Sequence, residues 1–298
     1  MKFEKDVNEL GKVEVESSPL NKVLLKKQKQ GQTLISMSRT IDDIKLTNIR
    51  SFQTPEGTSR NILITGIDMF DDGRIVLADH QRFNSRLVIM NQEGNLIKNI
   101  EFEDSCYVVA VIEKDTVAAT LIEEKEIVII DINSSTVQMN IPTEDICFSI
   151  FYTGKQLGAS VENGITQFFD LSGNTLSTLS DNEKSCYCSV FEDQLYYTAH
   201  EKDTVYSTDL NGTVHWKYDY RKFSYPCGLT NDTFGNIFVA CRDSMQVMIV
   251  GNDGEESRIL LTEQNRLQKP RAIHYNRKNK ILLVCYLSGQ CFMYKVSS

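Results

Sequence analysis

Apolar residues along this chain fall in short runs separated by turn residues every eight to twelve positions, and no stretch sustains the 3.6-residue period of an amphipathic helix. Runs such as Arg86-Leu87-Val88-Ile89-Met90, Glu126-Ile127-Val128-Ile129-Ile130 and Gln246-Val247-Met248-Ile249-Val250 are rich in branched side chains, which suit a pleated, half-buried surface. They predict strands. Between them stand Asp71-Asp72-Gly73, Glu113-Lys114-Asp115, Thr153-Gly154-Lys155, Glu192-Asp193, Thr233-Phe234-Gly235 and Asn276 to Asn279, the residue types that close tight turns.

The pattern repeats. A small residue followed by a branched apolar one occurs at Gly66-Ile67, Ala110-Val111, Ser149-Ile150, Ser189-Val190, Gly228-Leu229 and Ala272-Ile273, in steps of 39 to 44 residues. Each pair opens a strand, a turn follows, and a second strand begins at Ile75, Val117, Leu157, Leu195, Ile237 or Ile281. A third strand and a second turn complete the unit. A period of about 40 residues holding four short strands is the length of a propeller blade. The prediction is therefore an all-β, six-bladed β-propeller with four antiparallel strands per blade and blades starting near residues 64, 107, 147, 187, 226 and 270. The small residues fit innermost strands, where bulky side chains would crowd a central channel.

The sixth unit ends after three strands, at Cys291 to Val296, which leaves a row of backbone groups unpaired. The segment Asp43 to Arg50, with apolar Ile44, Leu46 and Ile49 and one irregular step, is predicted to supply the missing outer strand and lock the ring. Residues 33–298 are assigned to the propeller. Residues 1–32, polar and rich in Lys and Gln, read as an extended linker.

A chain of 298 residues with 41% hydrophobic content is long enough to bury a large core. Its formal charge of -8 argues against a general nucleic-acid binder, although a local basic patch is compatible with it. The eight cysteines lie mostly in apolar runs and read as reduced, small hydrophobes; the Cys186-x-Cys188 spacing does not suit zinc. With no apolar leader and no run near 18 apolar residues, the chain is expected to be soluble and cytoplasmic, which makes the Asn133-Ser134-Ser135 acceptor sequence irrelevant to glycosylation.

Two segments carry a resemblance. Tyr225-Pro226-Cys227-Gly228-Leu229 followed by Asp232 to Ala240, reading DTFGNIFVA, and Ile64 to Asp79, reading ITGIDMFDDGRIVLAD, resemble the NHL-repeat signature, with Lys269-Pro270-Arg271-Ala272-Ile273 a third match. The resemblance spans residues 44 to 298 and is clear in the first, fifth and sixth units. The Asn-His-Leu triplet is absent, and Ala240-Cys241 replaces the Ala-Asp still seen at Ala78-Asp79. The arrangement resembles the C-terminal domain of tripartite-motif (TRIM) proteins, of a divergent, bivalve-like type. That resemblance implies a non-catalytic recognition module. Ubiquitin-ligase activity would reside in an upstream RING, and neither its zinc pattern nor coiled-coil heptads occur in this chain.

Six-bladed propellers also include metal-dependent lactonases and lyases, which set acidic or His ligands around the channel mouth. Of the four histidines here, His80 and His200 follow the second strands of opposite blades and read as loop residues, while His215 and His274 read as ordinary strand positions. Asp71-Asp72-Gly73 reads as a hairpin turn rather than a calcium loop. Trp216 and the pair Tyr196-Tyr197 read as core or strand-face residues. No catalytic residue, metal or cofactor is expected.

Propeller ligands commonly sit on the face built from loops joining second to third strands and loops leading into each blade. There the fifth, sixth and first units contribute Arg82, Phe83, Arg86, Arg221, Lys222, Phe223, Tyr225, Arg242, Arg266, Lys269 and Arg271, with Tyr220 beside them. The second to fourth units contribute Glu103, Asp104, Glu123, Glu124, Glu144, Asp145, Glu162 and Glu201. Since units five, six and one are consecutive in a closed ring, the basic and aromatic set predicts one arc for a partner. A protein partner, or ubiquitination substrate, is preferred because the chain is acidic overall; single-stranded RNA, with bases stacked on the aromatics, is the alternative. The propeller itself is expected to be monomeric and not to bind membranes.

Overall fold

The computed structural model describes residues 41–57, 61–81, 85–180, 186–219 and 224–297. These belong to one compact unit that starts at residue 40; the linker assigned to residues 1–32 lies outside the described residues. Among the described residues, 24 strands form six four-stranded antiparallel sheets. The inner strands of blades 1 to 6 are Ile64–Met69, Cys106–Glu113, Cys147–Tyr152, Tyr187–Phe191, Pro226–Asn231 and Pro270–Asn276. Each packs against the inner strand of the next blade, and that of blade 6 returns to that of blade 1, so the ring closes.

The core is divided rather than central. Between blades 1 and 2 lie Phe70, Val76, Leu87, Cys106, Val117 and Ile130; between blades 5 and 6 lie Phe238, Val247, Ile249, Leu282 and Val284. Equivalent apolar clusters fill the other four seams. Second strands such as Ile75–Asp79, Leu157–Val161 and Ile237–Cys241 are buried along their whole length because a sheet lies on either side. That is why they read as unbroken apolar runs instead of alternating ones. Fourth strands face water and are mostly exposed, as at Thr136–Pro142.

The small residues of the inner strands have a specific cause. A Cβ at Gly228 would lie 2.6 Å from the carbonyl oxygen of Arg271, and one at Gly66 would lie 2.8 Å from the Cα of Val108. In both cases the obstacle is the backbone of the neighbouring blade, which has no rotamer to escape into. Gly228→Ala is expected to cost about 1–3 kcal/mol, the usual range for overpacking, read as a lowered urea midpoint at unchanged m-value.

Several turns share one device. Asp232 Oδ1 accepts from Phe234 N at 2.7 Å and Asn236 N at 3.0 Å, Asp209 from Asn211 and Thr213, and Asp170 from Ser172 and Asn174. Gly235, at φ 82°, takes the left-handed position inside such a loop. Hydrogen bonds from Thr213 N to Asp209, and from Asn174 to Asp170, hold these two carboxyls below the usual carboxylate range. The turn at Asp71-Asp72-Gly73 is a hairpin of this kind of local chemistry, with Gly73 N bonded to Phe70 O and Asp72 accepting from Arg74 N.

The predicted closure is present. The strand Lys45–Gln53 pairs antiparallel with Gln290–Ser297, from Lys45 opposite Ser297 to Gln53 opposite Gln290. The irregular step in its pattern is a register shift between Asn48 and Arg50, which turns Ile49 outward to 49% exposure while Ile44 and Phe52 stay buried. One reading requires correction. The cysteines are not all reduced: Cys285 and Cys291 face each other across adjacent strands, with Cα atoms 4.1 Å apart, and are joined by a disulfide, while the other six described cysteines are outside any disulfide. A directly opposed pair in an antiparallel ladder brings two side chains together in a way that positions in sequence do not reveal. No helix of the described residues is long and apolar enough to cross a membrane.

Candidate functional site

Loops joining second to third strands meet the starts of the inner strands at one end of the ring. There Tyr225, at the start of blade 5, holds left-handed backbone with φ 56°, its N–H donating to Asp203 Oδ1 at 2.6 Å and its carbonyl accepting from Arg242 N at 3.0 Å. This conformation is uncommon for an aromatic residue and persists only where neighbours over-determine it. The Arg242 guanidinium lies 3.6 Å from the Tyr225 ring centroid, and the His200 ring lies 4.6 Å from the same ring on the other blade. Asp243 pairs with Arg242 at 2.7 Å, and Lys269 lies close enough to lower the Asp243 carboxyl after Arg242's own hydrogen bond has done so. His200 also touches the Cys186 thiol, and burial lowers its pKa so that the ring is neutral at pH 7.

Arg266 and Lys269 are exposed on the loop that leads into blade 6, both with positive φ, and the Arg266 carbonyl accepts from Tyr286 Oη at 2.5 Å. Arg271 points to the axis instead. Its Nε donates to Tyr187 Oη at 3.2 Å and a terminal nitrogen to Tyr107 Oη at 2.5 Å, while Tyr187 Oη donates to the Thr65 carbonyl at 3.0 Å. One side chain from blade 6 thereby ties together blades 4, 2 and 1. His80 packs edge-on against Tyr107 at 5.1 Å, half-buried, and burial lowers its pKa too.

The structure thus brings Tyr225, Arg242, Lys269 and Arg271 to one end of the ring. Arg82, Phe83, Tyr220, Arg221, Lys222 and Phe223 lie outside the described residues. Arg86 does not lie on a surface. It is 2% exposed, with Nε 3.0 Å from Asp79 Oδ2 and a terminal nitrogen 2.6 Å from the Pro55 carbonyl. It is a third-strand residue whose side chain turns inward to a carboxylate that nothing else would neutralise. Asp104 leaves the acidic set for a similar reason, being buried and accepting from the backbone N–H groups of Ser105, Glu123 and Glu124. Tyr196 and Tyr197 are core residues as read; Trp216 covers the seam between blades 4 and 5 and donates to Asn252 O at 3.0 Å.

The opposite end of the ring opens into a cavity of about 580 Å³ running down the axis along the inner strands. Asp71, Thr153, Glu192 and Lys278 mark its mouth and Thr65 and Tyr187 its floor. On its wall His274 Nδ1 lies 3.0 Å from Asp68 Oδ1. Sequence reasoning passed over this pair, because the two residues are some 200 positions apart and meet only when blade 6 closes on blade 1. Among the described residues no group of three or more His, Cys, Asp or Glu is placed to hold a metal ion.

No family model matches the chain, and no curated protein matches it. Solved structures do. A structural genomics protein of unknown function from Bacteroides thetaiotaomicron superposes with a TM-score of 0.65 at 13% identity, over 85% of this chain and 76% of that one. A streptogramin B lyase structure superposes with a TM-score of 0.62 at 12% identity, over 86% of this chain and 99% of that one. At such identities the likeness is one of fold, and a propeller scaffold hosts many unrelated activities.

Proposed function

We propose that this propeller is a non-catalytic recognition module that captures an acidic segment of a partner protein on the end of the ring where Arg242 lies. The observation that carries the reading is the Arg242 guanidinium stacked at 3.6 Å on Tyr225, itself held in strained left-handed backbone beside His200. An arginine resting on an aromatic face is pre-organised, so little rotamer freedom is lost when it engages a carboxylate. Its ion pair with Asp243 is partly exposed on the arginine side and exposed on the aspartate side, worth little by itself, and open to exchange for an incoming acidic group. Lys269 and Arg266 extend the positive charge along the same loops. The NHL-like motifs at Tyr225 to Ala240 support the same role, that of the substrate-recruiting domain of a TRIM-type ligase.

The test is fluorescence anisotropy with two labelled probes, a peptide rich in Glu and Tyr and a uridine oligomer. The peptide is expected to bind, and Arg242→Glu combined with Lys269→Glu to weaken it by about 30-fold, the loss typical of a central interface residue. Peptide binding that is absent in the parent chain, or unchanged in the double variant, sinks the reading. Binding of the oligomer alone, with log affinity falling linearly against log salt, replaces it with RNA recognition.

A further inference from the structure

The axial cavity is a cup rather than a pore, and its chemistry is separate from the Arg242 end. Tyr187, at its floor, is locked by its hydrogen bond to the Thr65 carbonyl and by Arg271 beneath it. On the wall, the Asp68 carboxylate is fixed by Met69 N at 2.6 Å and Val111 N at 2.8 Å, and its first oxygen faces His274 Nδ1 at 3.0 Å. A carboxylate held in this way orients the imidazole and keeps the proton of the neutral ring on Nδ1, so Nε2 is an acceptor. The His274 and Asp68 side chains are 24% and 17% exposed, so the pair is reached from the cavity they line.

The same wall offers donors. These are hydroxyls in the lining: Ser149 Oγ accepts from Cys188 N at 2.8 Å and Thr230 Oγ1 from Tyr275 N at 3.1 Å. Between these polar groups stand Ile67, Val109, Ile150 and Leu229, which suit C–H faces. The charges at the mouth lie in solvent, above the wall: Lys278 and Asp71, 3.7 Å apart, are both exposed, and Glu192 stands at the same rim, while Arg277 lies 5.2 Å from the Phe191 ring. The wall below the mouth is thus an imidazole acceptor and two hydroxyls alternating with apolar patches, in a volume that fits a small organic ligand.

We propose that this cup is a binding site for a small neutral polyhydroxylated molecule of monosaccharide to nucleoside size, one of whose hydroxyls donates to Nε2 of His274. The site makes the ring a two-ended receptor, with a macromolecule at one end and a small molecule at the other.

The experiment uses the full chain with ¹⁵N-labelled histidine. Long-range ¹H–¹⁵N spectra are expected to show His274 with its proton on Nδ1, and titration with a panel of free monosaccharides and nucleosides at millimolar concentration to shift its Nε2 signal. The responding compound raises the melting temperature of the parent chain by mass action. His274→Gln is expected to weaken its binding about tenfold, with circular dichroism unchanged. If that variant unfolds, Asp68→Asn supplies the second reading, since it removes the carboxylate that sets the tautomer. A panel in which no compound moves the His274 signals, or a compound that binds equally well to the folded variant, overturns the proposal. Because neither outcome involves Arg242, it also leaves the fate of the recognition surface to its own test.

Discussion

Removing residues 1–53 is expected to turn the ring into an aggregating species, visible as a shift to the void volume in size-exclusion chromatography and as loss of a cooperative melt. The deletion strips the outer strand Lys45–Gln53 from Gln290–Ser297 and leaves a full row of N–H and C=O groups on an exposed edge. An unprotected edge of that length is a template for pairing with other chains. The seams on both sides of blade 6 open as well, since Phe52 packs with Met293, Cys291, Ile64 and Met90, and Ile44 packs with Val296 and Tyr294. Two point variants separate pairing from packing. Phe52→Ala is expected to cost about 3 kcal/mol, as for a buried aromatic truncated to a methyl group. Ile49→Ala, three residues back on the same strand but turned out by the register shift, is expected to stay within about 0.5 kcal/mol of the parent. Chemical denaturation monitored by tryptophan fluorescence measures both, and equal effects would mean that the strand pairing does not close the ring.

Arg86→Ala is expected to be the most damaging single substitution, lowering stability by about 3–5 kcal/mol. Arg86 and Asp79 are each 2% exposed and lie on neighbouring strands of blade 1, opposite one another in register. The guanidinium neutralises Asp79 and reaches across to the Pro55 carbonyl, while the other carboxylate oxygen accepts from Leu63 N at 2.9 Å. Truncating the arginine strands a carboxylate in a dry seam, with a cost far above the net worth of the pair itself. For a domain of this size the loss corresponds to roughly 6–20 °C in melting temperature. Asp79→Asn is expected to be milder, because an amide keeps an acceptor for Leu63 N and leaves a charge that already has a second hydrogen bond at Pro55. If Arg86→Ala melted within a degree or two of the parent, the pair would be solvated and the assignment of Arg86 to the interior would fall.

This same residue shows where linear pattern stops informing. Arg86 follows a loop, begins an apolar run and stands near other basic residues, which is the profile of a surface contact. Nothing local distinguishes it from Arg242, which is stacked and half-exposed on Tyr225. The difference lies in the partner across the ladder: Asp79 opposes Arg86, whereas the Arg242 neighbourhood offers an aromatic face and an exposed Asp243. The channel pair is the converse. His274 sits in an ordinary strand pattern and Asp68 in another, and only closure of the ring brings their side chains to 3.0 Å.

What the linear order of residues determined by itself is the number of blades, the place of each turn and the strand that closes the circle. The first two depend on neighbours within about 40 positions: small residues where backbones crowd, Asp and Gly where turns close, apolar runs where two sheets cover a strand; the third follows from a sixth unit that is one strand short and an alternating segment ahead of the first. Tertiary structure alone decided which charges are solvated, which cysteines meet and which residues face the axis. Those are properties of side chains from different blades, and their energies depend on burial and on distances of a few ångströms. Such quantities come into being only when the last strand finds the first.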